Sequence, residues 1–334
     1  MPQLFFPPGS DGLISTLRGF ARAHSSRVSL SSDPVYFSAR DRSANRQVAL
    51  VSGGGSGHEP LHAGLLGRGM LDAVAPGEVF ASPHNRQVYE ASRAVALPGG
   101  VLHIVKNYTG DKINFGIAAE RLRADGIDVG RVLVHDDVAT ESEETATGRR
   151  GTGATVLVEK ILGAAADRGA GLAELVALGE RLATRARSLA VASESLTSVH
   201  TGERIFGLTS DEIEYGVGIH GERAATTTRY TNLSDLVTRM IDDILASLGP
   251  IDGELVVFVN GLGSASPLEL YAVFDEVSRQ LDERGAVIGG SLVDTLVSAL
   301  DMHGFSITVL DMIEPAWWDL LHADADTPAW KGTN

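Results

Sequence analysis

The chain contains no cysteine. That excludes structural disulfides, a thiol nucleophile and any zinc site built on thiolates. Positive charge is also scarce: 28 Lys and Arg stand against 43 Asp and Glu, a formal net charge of −15. Nucleic acids and anionic membranes require a basic footprint, which this balance does not supply. The Arg-rich pieces, such as TGRRG at 147–151, are short and isolated. Long apolar runs are missing too. Stretches such as VLVEKILGAAADRGA are broken by charge or glycine, well short of the ~20 apolar residues that cross a bilayer. The opening MPQLFFPPGSDG lacks the positive region, apolar core and cleavage site of a secretory signal. The expectation is a cytoplasmic protein with neither nucleic acid nor membrane as partner.

What is present is an ordinary globular mixture, 43% hydrophobic over 334 residues, enough for two domains with real cores. Short β-branched runs alternate with helical stretches. QVALVS (47–52), VLHIVK (101–106) and RVLVHDD (131–137) read as strands. HEPLHAGLLGRG begins with a short helix, DKINFGIAAERLRADG (111–126) is a helix that Asp111 is placed to cap, and TGATVLVEKILGAAADRG carries another. Residues 170–190 are helical, as one helix or as two broken near Gly179, and a new apolar run starts near 189. The second half resumes with a capped helix at 232–249, the strand ELVVFVNGLG, a helix at 267–285 with proline in its first turn, and a strand at 305–312. This pattern predicts an α/β fold of two related domains, each a β-sheet flanked by helices. The expected domains are 1–185 and 186–334, with the last residues packing back on the first.

Glycine is abundant, at 38 residues, and it clusters. SGGGSGHEP at 52–60 reads as a turn with little Cβ cover, followed by a helix whose positive end points at the same place. It is neither GxxxxGK[ST] nor GxGxxG. His58 and Glu59 adjoin it. KNYTGD at 106–111 ends a strand with Lys106 and opens a helix with Asp111. Asp111 is either a simple cap or a carboxylate at the strand ends, where open α/β sheets gather ligands. Asp136 and Asp137 of HDD either bind a cation or organise the neighbouring loops. GVGIHGE at 216–222 sets His220 between glycines, where an imidazole is available as nucleophile or base. No HExxH or other metal spacing occurs.

Together these motifs resemble a known family. VSGGGSGHEPLHAGLLGRGMLDAVAPGEVFASP (51–83) and IVKNYTGDKINFGIAAE (104–120) resemble the signature of the dihydroxyacetone kinase K subunit. HDDVA, TGRRGTGATVLVEKILGAAA, GVGIHGE, NGLGSASPLELY and DTPAW follow in the family order, so the likeness runs from about residue 45 to 331. It implies a homodimer of two related α/β domains that captures a short hydroxyketone as a hemiaminal on a histidine, here His220. It implies Asp111 as the base that takes the proton of the attacking hydroxyl, and His58 as a hydrogen-bonding group that stabilises developing charge. Gly55, Ser82 and Lys106 fall on positions that line the ketose pocket. No cofactor or metal is expected on this chain. A separate L subunit is expected to carry ATP or ADP with magnesium, with a phosphotransferase-system protein as donor through L in one branch.

Two alternatives stay open within the resemblance. One is a kinase subunit for a four-carbon or branched ketose such as erythrulose, and the other a ketose-sensing co-regulator without catalysis. The segment SESLTSVHTGERIFGL (193–208) departs from the cysteine and prolines common in the family. It lies some distance from His220 in sequence, and the loop either leaves catalysis untouched or borders the pocket and alters substrate size.

Overall fold

The computed structural model describes residues 5–6, 11–140, 148–223 and 226–333. The first half comprises α1 (Asp11–Ala23), β1 (Val28–Ser32), β2 (Val35–Ala39), β3 (Ala49–Ser56), β4 (Ala73–Val79), α2 (Asn85–Val95), β5 (Val101–Lys106), α3 (Thr109–Ala124), β6 (Val129–Val134), α4 (Ala154–Asp167) and α5 (Leu172–Thr184). Its six strands form one sheet in the order β1-β2-β4-β3-β5-β6. The β1–β2 hairpin and the β2–β4 pair are antiparallel, and β4, β3, β5 and β6 run parallel. The second half comprises β7 (Ala186–Glu194), β8 (Glu212–Tyr215), β9 (Thr226–Arg229), α6 (Leu233–Leu248), β10 (Glu254–Gly261), α7 (Pro267–Glu283), β11 (Ile288–Asp294), β12 (His303–Met312) and α8 (Pro315–Leu321). Its sheet runs β11-β10-β12-β7-β8-β9, parallel only between β10 and β11. The expected α/β fold is therefore present, as two six-stranded sheets flanked by helices. Among the described residues, no helix is long and apolar enough to cross a membrane.

Local chemistry explains several boundaries. Asn232 caps α6 by accepting from the Asp235 amide. Ser266 and Glu269 form a reciprocal capping box ahead of Pro267 on α7. Residues 172–184 are one helix, and Gly179 lies inside it because a Cβ there would stand 2.3 Å from the Val132 side chain. β7 then starts at Ala186, earlier than the apolar run near 189 indicated.

Three expectations are corrected. The glycines at 53–55 belong to β3 and are not a turn. They are glycines because neighbours press on the strand: a Cβ on Gly53 would meet the Ala75 carbonyl oxygen at 2.4 Å, and one on Gly54 would meet Lys106 Nζ at 2.2 Å. No α-helix follows the motif. Only the three-residue 3₁₀ turn Ala63–Leu65 forms, so no helix dipole points at it. A longer helix is blocked where the C-terminal segment closes in. Gly67 has φ +147°, and a Cβ there would lie 2.1 Å from the Asp326 carbonyl oxygen. Thirdly, α3 begins before Asp111. Tyr108 is its N-cap residue, and Asp111 lies in the first turn with its side chain free of capping duty.

The two sheets share a core. One apolar cluster joins Leu50, Leu102 and Ile104 of the first sheet to Val256, Phe258 and Leu310 of the second, through Val156, Leu157 and Ile161 of α4 and through Trp317 and Trp330. The tail returns to the first half, where Ala329 N–H donates to Gly64 O and Asp326 N–H to Arg68 O.

Asp136, fully buried after β6, joins the halves. It accepts from Thr152 N (2.7 Å), Ala154 N (2.9 Å), Thr152 Oγ1 (2.9 Å) and the Ser188 hydroxyl of β7. Asp137 is paired with Arg150 at 2.5 Å. Protein donors thus occupy both aspartates, which organise loops. Asp136→Ala would strand two buried backbone N–H groups, each costing ~1–3 kcal/mol. It is expected to lower the urea unfolding midpoint by an amount equivalent to about 3 kcal/mol or more. A midpoint within error of wild type would refute this account of the junction.

Candidate active site

The parallel strands of the first sheet end together, and their polar ends meet a loop from the second sheet. Lys106 ends β5 and Asp111 stands one turn into the helix that follows. Ser82, after β4, touches the same turn, since a Cβ on Gly110 would stand 2.5 Å from its hydroxyl. Gly55, near the end of β3, lies under the 80–81 backbone, with a Cβ 2.8 Å from Ala81 N. His58 follows β3. His220 arrives after β8, in a loop tightened by Gly221 N–H donating to Gly218 O and by Gly218 N–H donating to Glu222 O. The His58 and His220 rings pack edge to face with centroids 4.8 Å apart. Phe80 contacts both rings, and the Tyr108 ring meets His220 at 4.6 Å. Two histidines 162 positions apart in the sequence are thus neighbours across the seam between the sheets.

Hydrogen bonds set which ring nitrogen is free. Glu222 folds back onto His220, with Oε2 accepting from the His220 backbone N–H (3.0 Å) and Oε1 facing Nδ1 (2.8 Å). Burial raises the Glu222 carboxyl, but its bond to His220, the His220 charge and Arg150 outweigh that and hold it at about 2. An ionised carboxylate only accepts, so Nδ1 carries a proton, and in the neutral ring the lone pair is the one on Nε2. His58 Nδ1 lies 2.8 Å from the Ser298 carbonyl oxygen, again a pure acceptor, so this nitrogen is also protonated. Burial first, then the charges of His220 and Lys106, hold His58 well below the usual histidine range. His58 is therefore neutral, and its buried Nε2 is a bare acceptor. A neutral acceptor takes a hydrogen bond from a hydroxyl.

Among the described residues, His58 Nε2, Asp111 Oδ1 and the Tyr108 hydroxyl are buried without a hydrogen-bond partner. Burial, then the Glu222 charge, pushes the Tyr108 phenol well above its ordinary range, so it stays an O–H donor. Unpaired buried polar atoms cost ~1–3 kcal/mol each and are uncommon in folded proteins. Of these three residues, His58 and Tyr108 contact the His220 ring, and Asp111 lies in the helix turn that follows Tyr108. Tyr108, inside the NYTGD motif, was not anticipated as a site residue. The tyrosine in KNYTGD was the only signal, and nothing in its spacing separates it from a packing aromatic.

The 193–208 segment lies some distance from His220 in sequence. Yet it packs behind the histidine loop: a Cβ on Gly221 would lie 2.3 Å from Ile205 and 3.0 Å from Leu196. A separate cavity of about 400 Å³ opens on the second sheet beside Ile213, Leu236, Leu270 and Phe305, and none of the expected site residues lines it.

The Glu222 contact predicts a proton position. In protein labelled with nitrogen-15 histidine, the His220 ring is expected to carry its proton on Nδ1. Glu222→Ala should convert that signal to a mixture of tautomers. An unchanged tautomer in the variant would show that Glu222 does not set it.

The comparisons with known proteins agree with one another. A family model described as the Dak1 domain matches residues 18–329. The chain is 40% identical over 324 residues to the PTS-dependent dihydroxyacetone kinase 1, dihydroxyacetone-binding subunit DhaK, of Listeria innocua, covering 96% of this chain and 98% of that one. It is 37% identical over 346 residues to the PEP-dependent dihydroxyacetone kinase, dihydroxyacetone-binding subunit DhaK, of Escherichia coli, covering 96% of each. Human triokinase/FMN cyclase is 41% identical over 327 residues, which is 96% of this chain and 55% of that protein. Among solved structures, the dihydroxyacetone kinase of C. freundii in complex with AMP-PNP and Mg2+ superposes with a TM-score of 0.92 at 36% identity, covering all of this chain and 62% of that one. The dihydroxyacetone kinase operon co-activator DhaQ superposes with a TM-score of 0.90 at 30% identity, covering 95% and 97%.

Proposed function

The chain belongs to the Dak1-domain family, and from that premise we propose that it is the dihydroxyacetone-binding subunit of a dihydroxyacetone kinase. The observation that carries this reading is the set of unpartnered polar atoms on His58 and Tyr108, which contact the His220 ring, and on Asp111 in the turn after Tyr108. His58 Nε2 and Asp111 Oδ1 accept, and the Tyr108 hydroxyl donates. A small hydroxyketone offers the complement, with hydroxyls to donate and oxygens to accept. Fold similarity alone does not separate a kinase subunit from a co-activator, because both kinds of relative superpose well.

In the proposed reaction, the Nε2 lone pair of His220 adds to the ketone carbon. The carbonyl π pair moves to oxygen, which is protonated as the Nδ1 proton leaves through Glu222, giving a neutral hemiaminal. The reverse steps release the product. Glycerol has no carbonyl to attack, so covalent capture discriminates against it without relying on small affinity differences. Capture also fixes the terminal hydroxyl and removes an orientation cost. His58 accepts a hydrogen bond from a substrate hydroxyl, and Asp111 takes the proton of the hydroxyl that attacks phosphorus. Gly55, Ser82 and Lys106 line the ketose pocket, the glycine by its close backbone. The phosphoryl group comes from a nucleotide-bearing L subunit, which holds the ATP or ADP and magnesium, and this chain acts as a homodimer.

Carbon-13 NMR of carbonyl-labelled dihydroxyacetone tests the capture step. The wild-type protein is expected to give a new sp³ carbon signal, distinct from the free hydrate, and His220→Ala to give none. No signal with the wild-type protein would refute covalent capture of this ketone. Asp111→Asn separates capture from transfer. With an L subunit supplied, it is expected to keep the adduct signal and to lose ~10²–10⁴-fold in phosphorylation rate. Loss of both together would assign Asp111 to binding.

A further inference from the structure

Beneath the pocket lies a second set of polar groups, joined to it at Lys106 and otherwise not used by the reaction above. Lys106 Nζ is 2.7 Å from His62 Nε2 and 3.4 Å from the Gly53 carbonyl oxygen. His62 Nδ1 faces Glu159 Oε1 at 2.6 Å and Ser52 Oγ at 3.0 Å. Lys106, His62, Ser52 and Glu159 are each at most 4% exposed. They come from four places in the chain: the end of β5, the turn after β3, β3 itself and the middle of α4. The gap they fill exists because Gly54 has no side chain, since a Cβ there would stand 2.2 Å from Lys106 Nζ and 3.4 Å from His62 Nε2.

The order of donors follows from the chemistry. Lysine can only donate when charged, so His62 Nε2 accepts and the ring proton sits on Nδ1, where it donates to Glu159 Oε1. Ser52 Oγ lies 2.8 Å from the Ile104 carbonyl oxygen, within reach of His62 Nδ1 and of the Glu159 carboxyl it stabilises. Burial, then the Lys106 charge, keeps the His62 ring well below the usual histidine range and so neutral. A buried ammonium needs compensating negative charge. It has two sources here, Asp111 on the pocket side and Glu159 behind His62.

We infer that Glu159, acting through His62, is a positioning residue that holds the Lys106 amine in place beneath the ketose pocket and, once ionised, opposes loss of its proton. This rests on the reading of Lys106 as a pocket group. Burial pushes Glu159 up to about 8, against the opposing effects of Ser52 and the Lys106 charge. Its second oxygen, Oε2, has no partner among the described residues and is the place for the proton. Below about 8 the group is neutral, and Asp111 alone supports the ammonium. As pH rises through that value, the Glu159 carboxylate forms and opposes loss of the Lys106 proton. Burial, which pulls Lys106 down, acts the other way, and His58 and His62, held neutral, add no charge there.

The test is the affinity for dihydroxyacetone, measured by the carbon-13 adduct signal, in wild type and Glu159→Gln at pH about 6.5 and about 9, on either side of the Glu159 titration. The two proteins are expected to bind alike at the lower pH. At the higher pH the variant is expected to bind ~10-fold more weakly, the effect of one unit in the lysine titration. Glu159→Asp, which keeps the charge, should recover part of that loss. A ratio that is the same at both pH values would overturn the inference, since a packing defect does not depend on pH. Wild type that binds at neither pH would instead sink the ketose reading itself. If Glu159→Gln does not fold, the wild-type protein still decides: long-range nitrogen-15 correlations locate the His62 ring proton, with His62→Gln to assign the signal. A proton on Nδ1 supports the relay, and one on Nε2 overturns it.

Discussion

The arrangement of the site depends on one buried carboxylate, Asp136. The polar groups of the first sheet hang from the ends of β3, β4 and β5, whereas His220 hangs from β8 of the second sheet. Neither sheet contains the site, and small rotations between them would separate the two histidine rings. Asp136 removes that freedom by taking hydrogen bonds from the start of α4 and from Ser188 of β7 at once. Ser188 N–H returns a bond to the Asp136 carbonyl oxygen. A second stitch lies beside the site, where Leu300 N–H donates to Gly57 O and Ser298 N–H to His58 O. A carboxylate this deep is tolerable only because donors surround it. That is also why it does not serve as a cation site.

How much of this was legible in the sequence varies from residue to residue. The β5 strand and its terminal Lys106 were readable, because an apolar β-branched run ending in KNYTGD leaves few alternatives. The α6 and α7 helices were readable from their caps. The GGG run was misread because glycine in a strand and glycine in a turn look alike in a sequence. The reason for these glycines is the approach of Ala75, Lys106 and Phe80, contacts made 22 to 52 positions away. The short helix expected after His58 failed for a related reason: its glycines answer to the returning C-terminal segment.

Glu159 was hidden in a different way. VLVEKILGAAA reads as a helix that turns its charged pair to solvent, because Glu and Lys are rarely buried. In the fold every residue of α4 from Ala154 to Ala166 is buried, and the pair splits. Glu159 faces His62, and Lys160 donates to the Leu320 carbonyl oxygen at 2.7 Å on another side. Hydrophobic periodicity reports the number of apolar faces, and a helix wrapped by two sheets and a returning tail has no solvent face to report. The importance of the 193–208 segment was hidden similarly, because proximity of Ile205 to Gly221 is a tertiary fact with no trace in local composition.

The same device recurs at all three histidines of the seam. His220 has Nδ1 bound to a carboxylate, His58 to a backbone carbonyl, and His62 to Glu159. Each contact puts the ring proton on Nδ1 and leaves Nε2 as a lone pair. The three Nε2 atoms then differ only in what they meet: in the proposed reaction His220 uses its own as the nucleophile, His58 holds a vacant acceptor, and His62 accepts from Lys106. Burial, aided by the Lys106 charge, keeps His58 and His62 neutral and prevents a second proton from cancelling the arrangement. A nucleophilic imidazole needs this setting, since a neighbouring imidazolium would compete with the ketone for its lone pair. The pocket therefore carries its positive charge on lysine, which cannot accept when charged, and its acceptors on histidines that burial holds unprotonated.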